Sequence, residues 1–302
     1  MNSIINFLSQ PRKIVLGLCS RGFLRFISDE QYLKMRLEDL FGSKPDLENP
    51  RTFCEKLQWL KLHDRNPAYT AMVDKYEVKR HVAEKIGEQY IIPTIGVWDS
   101  FDEIDFDALP EQFVLKCTHD SGGLVICRDK SNFDMAKARQ KINRSLKRNY
   151  YYLGREWPYK NVKPRIIAEK YMEDSGSEEL KDYKFFCFEG VPGYCQVISD
   201  RSTNEKIDFF DMSWNHQPFV GVIGLTLDVG NSDVPVSKPV SFETMKDLSQ
   251  KLAAGIPFCR VDFYEVNGQL FFGEVTFYPA SGFGKFTPDE WNTILGDRIH
   301  LP

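Results

Sequence analysis

Apolar residues recur at helical spacing in several stretches of the 302-residue chain. A helix is predicted after residue 52, because Phe53, Leu57 and Leu60 share one face and Thr52 and Glu55 fit a capping box. Further helices are predicted over residues 68–86, 134–149 and 242–254, and in TPDEWNTIL, where Thr287 would be the cap, Pro288 the first helical residue and Glu290 the closing acid.

Short apolar runs and alternating positions predict strands between these helices. They lie within residues 91–100, 113–129 and 164–172, and in two hairpins, 182–199 with a turn at Glu189-Gly190 and 260–278 around Asn267-Gly268. Residues 149–164 are predicted to form a loop, and residues 215–240 a long mobile loop. Because helices and hairpins intermix, the predicted class is α+β or α/β with mainly antiparallel sheets.

The hairpin RVDFYEVNGQLFFGEVTFY carries two acids in apolar surroundings, and its loop length decides whether they share a face. With the two-residue loop Asn267-Gly268, Asp262 lies opposite Gly273 and Glu274 points to the other side. With a three-residue loop that adds Val266, all even-numbered residues share one face. The odd-numbered face would then hold an apolar core: Val261, Phe263, Phe271, Val275 and Phe277. Hydrophobic sorting therefore favours the three-residue loop or an equivalent bulge.

On that register the even face holds Arg260, Asp262, Tyr264, Phe272, Glu274 and Thr276. Asp262 and Glu274 become diagonal neighbours, and two bare carboxylates ~6 Å apart repel by roughly 2–3 kcal/mol at an effective dielectric near 20. A bound Mg²⁺ would remove this cost, since it prefers oxygen ligands. The alternative is that Arg260 pairs with Glu274 while Asp262 caps a nearby loop.

Composition adds compartment and charge to this picture. Hydrophobic residues make up 42% of the chain and aromatic residues 14%, and no apolar run reaches the roughly 20 residues that span a bilayer. Seven cysteines without a CxxC pair predict reduced core thiols in a cytoplasmic protein. The net charge is −4, but residues 128–165 hold twelve Lys/Arg against three acids. That segment is either a solvated helix face or a surface for an anionic partner.

The N-terminus is also basic. Residues 1–28 contain four Lys/Arg and no acid, and their apolar stretches are too interrupted for a membrane-spanning helix. Two alternatives stay open: a helix packed on the protein body, or a helix lying on a membrane surface.

Two lysines and one acid occupy strand positions that suit ligand binding. Lys116 ends the run FVLKC before the small-residue loop THDSGG, whose backbone N–H groups could hold phosphate oxygens, although such a loop is often only a turn. Lys184 is out of phase with the apolar side chains of DYKFFCF, so it points either into a cleft or, on an edge strand, into solvent. Glu169 ends a buried strand and needs a partner. This order predicts a nucleotide between two sheets, with lysines on phosphates and acids on a metal.

From about residue 50 onward the chain resembles the TupA-like branch of the ATP-grasp proteins. The resemblance is carried by NPRTFCEKLQWLKLHDRNPAYTAMVDKYEVKRHV, IPTIGVWDSFDEIDFDALPEQFVLKCTHDSGG, LKRNYYYLGREWPYKN, RIIAEKYMEDSGSEELKDYKFFCFEG and RVDFYEVNGQLFFGEVTFYPASGFGKF. It implies an α+β ATP-grasp fold, in which two subdomains with mainly antiparallel sheets clamp ATP, plus a helical N-terminal region. The implied segments are 1–50 (helical), 51–110 (a shortened N-terminal subdomain), 111–166 (lysine strand and phosphate loop) and 167–302 (adenine hinge and metal hairpin).

The resemblance also implies residue roles. Arg260 and Lys184 would be catalytic, Arg260 by steadying the transferred γ-phosphate. The ATP-binding residues would be Lys75, Lys116, His119, Ser121, Gly122, Gly123, Glu169, Lys170, Tyr171, Met172, Asp174 and Lys184. Asp262, Glu274 and Thr276 would hold Mg²⁺. The chain departs from the family at Thr276, where ATP-grasp enzymes typically have Asn, and a hydroxyl is the weaker Mg²⁺ ligand.

The implied activity is an ATP- and Mg-dependent, ADP-forming carboxylate–amine ligase that acts through an acylphosphate. Its branch is associated with bacterial surface polysaccharides, so the implied products are amides of a uronic-acid or amino-acid unit in capsule or cell-envelope biosynthesis. The implied location is cytoplasmic, at the inner face of the membrane. Three alternatives stay open: a glycosyltransferase using Asp105-x-Asp107, a nucleic-acid-binding protein using the basic helix, and an inactive ATP-binding scaffold. The last is considered because Thr276 stands where the family typically has Asn.

Overall fold

Two antiparallel sheets and nine α-helices dominate the computed structural model, which describes residues 11–175, 180–199, 203–223 and 229–302. The helices are α1 Pro11–Ser20, α2 Asp29–Phe41, α3 Phe53–His63, α4 Ala68–Val73, α5 Glu77–Ile86, α6 Met135–Leu146, α7 Tyr151–Gly154, α8 Phe242–Ala253 and α9 Trp291–Asp297. The strands are β1 Thr94–Trp98, β2 Phe113–Cys117, β3 Leu124–Cys127, β4 Ile166–Lys170, β5 Asp182–Phe188, β6 Val191–Ser199, β7 Lys206–Asp211, β8 His216–Gln217, β9 Val220–Ile223, β10 Phe258–Val266, β11 Gln269–Thr276 and β12 Lys285–Thr287.

The first sheet has the strand order β1-β4-β2-β3, and its pairs are antiparallel. Alternate residues of β2 are buried, and helix α6 covers that face with Ala138 and Ile142. The other face carries Lys116 diagonally across from Glu169, because Lys116 pairs with Ile167 and Val114 pairs with Glu169. The predicted segment boundaries at 110/111 and 166/167 cut through this sheet, since β1 and β4 both pair into it.

The second sheet has the order β11-β10-β5-β6-β7-β8. One face packs on α8, where Phe185 lies 5.7 Å from Phe242 between ring centroids. The opposite face packs on α3, where Phe53 lies 5.0 Å from Phe258. Strands β12 and β9 form a small separate pair.

The β10–β11 hairpin corrects the predicted loop and confirms its alternative. The loop is the two-residue Asn267-Gly268 turn, with φ of 50° and 76°, which is typical of a type I′ hairpin. A bulge between Val261 and Phe263 then shifts the register, so that Arg260 pairs with Thr276 at the base of the hairpin. The three-residue loop was therefore wrong, and the equivalent bulge takes its place.

The bulge limits the predicted faces to the base of the hairpin. Toward the tip, Tyr264 pairs with Phe271 and Phe263 pairs with Phe272. Phe271 and Phe272 therefore lie on the opposite faces from those that the three-residue loop predicts.

Other elements differ from prediction for local reasons. The helix predicted over 68–86 is broken into α4 and α5, because the Asp74 carboxylate accepts hydrogen bonds from the N–H groups of Tyr76 and Glu77. Thr287 lies in β12 and α9 begins at Trp291 without a side-chain cap, so the second capping box is wrong. The first is confirmed, with Thr52 and Glu55 bonding reciprocally.

Both predicted loops contain regular structure. Residues 149–164 include α7 and the 3₁₀ helix Trp157–Asn161, and residues 215–240 include β8 and β9. Part of the second loop, residues 224–228, lies outside the described residues.

The N-terminal region packs on the protein body through the buried side chains of Leu16 and Cys19 in α1, and the Tyr32 hydroxyl in α2 donates to the Leu153 carbonyl at 2.8 Å. Residues 1–10 lie outside the described part of the chain. Among the described residues, no helix has the length and apolar character needed to cross a membrane. All seven cysteines are buried free thiols.

Candidate active site

A cavity of about 330 Å³, the first cavity, lies between the two sheets. The structure brings many of the predicted site residues to its wall: Lys75, Lys116, Ser121, Gly122, Gly123, Glu169, Lys184, Asp262 and Glu274. Seven other predicted residues do not line it: His119, Lys170, Tyr171, Met172, Asp174, Arg260 and Thr276.

On the side of the first sheet, Glu169 lies between two lysines. Its carboxylate is 2.6 Å from the Lys116 ammonium and 2.5 Å from that of Lys79. Burial disfavours the charged carboxylate, but the two ammonium groups outweigh that cost and lower the pKa of Glu169. Burial likewise lowers the pKa of Lys79. Lys79 was not predicted, although it follows Lys75 by four residues, a spacing that places both side chains on one face of the helix predicted over 68–86.

The loop THDSGG is closely packed beneath the first cavity. The Lys75 ammonium donates to the Asp120 carbonyl, and the Cys117 N–H donates to the Gly123 carbonyl at 2.7 Å. A Cβ on Gly123 would lie 2.3 Å from the Ser145 hydroxyl and 2.7 Å from an Asp120 carboxylate oxygen, so only glycine fits there. This packing fixes the backbone at the point where phosphate binding is predicted.

His119 has a different position from the one predicted. Its ring is buried, with Nε2 at 3.2 Å from the Ser145 carbonyl and 3.1 Å from the Arg148 carbonyl. These carbonyls belong to the end of α6 and the turn after it. His119 therefore anchors the loop to that helix instead of facing the cavity.

The predicted adenine hinge runs beside the first cavity. The Lys170 N–H donates to the Pro93 carbonyl at 3.0 Å, and Met172 packs against a small apolar cluster of Ile92, Val266 and Phe271. The tip of the β10–β11 hairpin holds the next residues, because the Asn267 amide donates to the Glu173 carbonyl at 3.0 Å. The hinge is thus tied to the hairpin that carries the predicted metal ligands.

On the side of the second sheet, Asp262 is the centre of a buried charge cluster. The Arg260 guanidinium binds both of its oxygens at 2.7 Å, and the Lys184 ammonium lies 2.5 Å from one of them. Burial disfavours the carboxylate charge, but Arg260 and Lys184 outweigh it and lower the pKa of Asp262. Lys184 therefore points inward, toward the cleft.

Glu274 and Thr276 complete this cluster near solvent. Arg260 Nη2 donates to Glu274 at 2.9 Å and to the Thr276 hydroxyl at 3.1 Å, and the hydroxyl in turn lies 3.1 Å from Glu274. The Glu274 side chain is 47% exposed, whereas that of Asp262 is 1% exposed. The pairing of Arg260 with Glu274, which was the alternative to a metal site, is present, while Asp262 pairs with Arg260 and Lys184 and caps no loop among the described residues.

The available oxygen ligands fit one type of magnesium site, in which the protein supplies only a few of the ligands. No group of three or more His, Cys, Asp or Glu side chains among the described residues could enclose a metal. Two carboxylates and one hydroxyl, all hard oxygen ligands, lie on one face of the hairpin. Magnesium in phosphate-handling sites is typically held by one or two carboxylates, with phosphate and water oxygens as its other ligands. The residues present match that arrangement.

A second cavity, of about 440 Å³, adjoins the first and shares four lining residues with it: Lys75, Asp120, Ser121 and Glu274. Arg260 and Thr276 line this cavity, together with Tyr150 and Tyr159, whose rings are 4.8 Å apart. The aromatic stretch after α6 thus forms its wall. The second cavity combines a guanidinium with aromatic rings, which suits an anionic ring-shaped ligand.

A left-handed turn closes the second cavity. Ala280, Ser281 and Gly282 have φ of 47°, 54° and 63°, which is strained for the first two residues. The buried Lys61 ammonium holds this turn by donating to the carbonyls of Ser281 and Gly154, each at 2.7 Å.

Lys61 has a buried acidic neighbour, Glu156, which accepts a hydrogen bond from the Ser281 hydroxyl. Burial lowers the pKa of Lys61 to about 7, and the nearby Glu156 opposes the shift. Burial raises the pKa of Glu156. Neither residue was predicted. The signal that could have identified Lys61 is a charged residue on the apolar stripe of α3.

The Asp105-x-Asp107 motif lies outside both cavities. The Asp105 carboxylate accepts hydrogen bonds from the N–H groups of Asp107 and Ala108 at 3.1 and 3.3 Å, and both acids are at the surface. The motif therefore stabilises a turn.

Comparison with known proteins identifies a matching family and several similar solved structures. The sequence profile of the family described as TupA-like ATP-grasp matches residues 55–300. No curated protein matches significantly. Among solved structures, the chain is similar to a D-alanine–D-alanine ligase from Bacillus anthracis complexed with ATP (16% identity, 68% of this chain and 53% of that one, TM-score 0.37).

Two further structures give similar values. They are the D-alanine–D-alanine ligase of Helicobacter pylori (14% identity, 82% of this chain and 68% of that one, TM-score 0.46) and the N5-carboxyaminoimidazole synthetase of Staphylococcus aureus (14%, 77% and 53%, TM-score 0.41). The chain spans about half to two thirds of the length of these structures. Assignment to a family therefore rests on the profile match.

Proposed function

The chain belongs to the TupA-like ATP-grasp family and has its α+β fold, and from that premise we propose that it is an ATP-dependent, ADP-forming ligase joining a carboxylate to an amine. The observation that carries this proposal is the pair of adjoining cavities that share Glu274, which Arg260 binds from the wall of the second cavity. A lysine-rich cavity suits triphosphate oxygens, and a cavity with a guanidinium and aromatic rings suits a carboxylate acceptor.

The proposed chemistry has two steps. An oxygen of the acceptor carboxylate attacks the γ-phosphorus of ATP, the bond to the β-phosphate oxygen breaks, and an acylphosphate and ADP form. The amine nitrogen then attacks the acyl carbon, inorganic phosphate leaves with the carbon–oxygen bonding electrons, and the nitrogen loses a proton.

The protein's contribution to this chemistry is positioning and charge neutralisation, as in other phosphoryl transfers. We assign the phosphate contacts to Lys75, Lys116 and Lys184, which line the first cavity. Arg260 lines the second cavity beside the shared residue Glu274, so its guanidinium would steady the transferred phosphoryl group and the attacking carboxylate. The left-handed turn at Ser281 and the ring of Tyr159 would exclude water.

Asp262, Glu274 and Thr276 would hold Mg²⁺, which when bound neutralises phosphate charge. Both carboxylates now bind Arg260, so metal binding would require the guanidinium to turn toward the second cavity. Such an exchange would explain why Arg260 binds the proposed metal ligands and also lines the second cavity. Thr276 supplies a hydroxyl where an amide is typical of the family, and the remaining metal ligands would come from phosphate and water.

We further propose that the acceptor is a uronic-acid or amino-acid unit of a bacterial surface polysaccharide or its precursor, and that the chain acts at the inner face of the membrane. The rings of Tyr150 and Tyr159 in the second cavity suit a sugar. A transferase role has no comparable support, because Asp105 and Asp107 form a surface turn.

Membrane contact is proposed for the segment between α1 and α2. Phe23 and Phe26 are 70% and 83% exposed, and Arg21 and Arg25 alternate with them. Exposed aromatic side chains beside cations suit an anionic lipid surface. In vesicle sedimentation with phosphatidylglycerol, wild-type protein should pellet, the double variant F23S/F26S should stay in the supernatant, and Val240→Ser, at another exposed apolar site, should behave as wild type. Wild-type protein left in the supernatant would reject membrane contact.

The test of the ligase proposal is product formation. Protein with Mg-ATP, galacturonic acid and a panel of amino acids should release ADP and phosphate in equal amounts, and mass spectrometry should find the amide. ADP release should require both the acid and the amine. Release of UDP from a nucleotide sugar with ATP untouched would instead establish a transferase.

A further inference from the structure

A third cavity, of about 450 Å³, lies against the N-terminal helices. Side chains of α1 and α2 line it together with Leu153 and Lys285. It shares Arg36 and Leu153 with the second cavity, so these two residues form the boundary between the two spaces. A ligand in the second cavity would therefore meet Arg36 before it reached the third.

Arg36 in α2 is a half-buried cation. Its Nε atom is buried and has no hydrogen-bond partner, and its guanidinium makes no ion pair with any described residue. Its charged group is 5.9 Å from the ring centre of Phe283. Burying charged groups without partners costs free energy, and native structures normally provide the partner.

The other inward-facing arginines of the region are satisfied. Arg260 binds two carboxylates, and Arg155 stacks on Tyr32 at 4.3 Å and lies 3.3 Å from an oxygen of Asp29. By contrast, none of the described residues supplies Arg36 Nε with a hydrogen-bond partner. A ligand with an anionic group would supply it.

The charge of the third cavity supports an anion. Its wall carries three cations, Lys13, Arg36 and Lys285, and one carboxylate, Asp39. Each of the two cavities is large enough for one small ligand unit, since ligand sites measure roughly 300–1,000 Å³. Together they would accommodate two neighbouring units of one molecule.

We propose that Arg36 binds a second anionic group of the acceptor, and that the acceptor is an extended anionic saccharide. The reacting carboxylate lies beside Arg260 in the second cavity, and the next anionic group lies at Arg36, at the entrance to the third. This inference rests on the proposed function for the identity of the reacting group. Arg36 then determines specificity for acceptor length and takes no part in phosphoryl transfer.

The test measures binding without turnover. Calorimetry of wild-type protein in the absence of ATP would compare galacturonic acid, its linear trimer and galacturonic acid 1-phosphate. Wild-type protein should bind the trimer at least about tenfold more tightly than the monomer. Preference for the phosphate without preference for the trimer would show an anion site for a sugar phosphate and reject specificity for acceptor length. Equal binding of all three ligands would overturn the inference.

Variants assign the effect to Arg36. Arg36→Gln should abolish the preference by weakening binding of the trimer about tenfold more than binding of the monomer, and Arg36→Lys should retain part of the preference. Arg144→Gln removes the same charge from an exposed position of α6 and should keep the wild-type preference. Equal weakening in Arg36→Gln and Arg144→Gln would show general electrostatics and reject the site. An Arg36→Gln variant with wild-type preference would also reject it.

The ligase assay separates the two proposals. ADP release with an amide product but no length preference would leave the ligase standing and reject the role of Arg36. An Arg36-dependent preference without ADP release from any acid and amine would support the anion site and reject the ligase.

Discussion

Two buried carboxylates that line the first cavity, Glu169 of the first sheet and Asp262 of the second, each bind two cations, yet the two clusters differ in exposure. In the first-sheet cluster, Glu169 binds Lys79 and Lys116, and the Lys116 side chain is 27% exposed. In the second-sheet cluster, Asp262 binds Lys184 and Arg260, whose side chains are 8% and 10% exposed.

The clusters also differ in charge balance. The first side of the cavity wall carries three lysines, Lys75, Lys79 and Lys116, against the carboxylates Glu169 and Asp120. The second side carries Lys184 with Asp182, Asp262 and Glu274, and Arg260 lies behind it. An excess of cations suits phosphate, and an excess of carboxylates suits a metal. The same local motif therefore stands in two different charge surroundings, which suit ligands of opposite charge.

The largest expected difference between the clusters is in stability. Asp262→Ala leaves Arg260 and Lys184 buried and facing one another, and we expect it to lower the free energy of unfolding by about 3–5 kcal/mol. Glu169→Ala should cost about half as much, because Lys116 can turn toward water. Urea denaturation measures both. A larger loss in Glu169→Ala than in Asp262→Ala would break the comparison.

The next effect is on turnover. Asp262→Asn keeps the size of the side chain but removes a proposed metal ligand, and kcat should fall on the order of 100-fold or more. The affinity of the variant for ATP in the absence of magnesium, measured by calorimetry, should stay near that of the wild type. The control is Asp211→Asn, which changes an acid in the second sheet outside the three cavities described. Wild-type turnover in Asp262→Asn would remove Asp262 from the metal site.

Lys116→Met should affect binding more than chemistry. The variant removes a cation from the phosphate side, and KM for ATP should rise about tenfold, equivalent to about 1.4 kcal/mol, with kcat changed less. Steady-state kinetics at saturating acceptor measures both constants. A fall in kcat at unchanged KM would instead place Lys116 in the chemical step. It would contradict the proposal that the first side of the cavity binds phosphate while the second side serves the chemistry.

The smallest effect concerns pH. Because Glu169 has a lowered pKa in the folded protein, its contribution to stability is present above its ordinary value of 4.5 and is lost as pH falls through the folded-state value. The stability difference between wild type and Glu169→Gln should therefore shrink below about pH 4.5. For Asp262→Asn it should shrink only below about pH 3.8, the ordinary value for Asp. Urea titrations at several pH values test this order, and the reverse order would contradict it.

Local sequence predicted the elements whose signals are short. Thr52 and Glu55 cap α3 as expected, because both partners of the capping box lie within one turn. The turn at Glu189-Gly190 was also found, because two successive residues with positive φ suit that hairpin. The helix predicted over 68–86 failed at Asp74, where a side chain competes with helical hydrogen bonds.

The β10–β11 hairpin shows how much the alternation of apolar and polar residues can predict. Sorting apolar from polar positions placed Arg260, Asp262, Glu274 and Thr276 together, and their mutual hydrogen bonds agree. The same reasoning gave the wrong loop, because a bulge in mid-strand changes the register as effectively as an added loop residue. Alternation fixes which residues share a face within each uninterrupted stretch, but not where the extra residue lies, and Phe271 and Phe272 were therefore assigned to the wrong faces.

The sequence by itself determined the α+β class, the lysine strands, the small-residue loop and the acids on one face of a hairpin, because each depends on residues a few positions apart. Only the tertiary structure decided which charges meet. Lys116 and Glu169 are 53 positions apart, Lys184 and Asp262 are 78 apart, and Lys61 reaches the Ser281 carbonyl across 220. Arg36 remained hidden for the same reason, since its distinguishing property is a buried Nε without a hydrogen-bond partner among the described residues that folding brings around it.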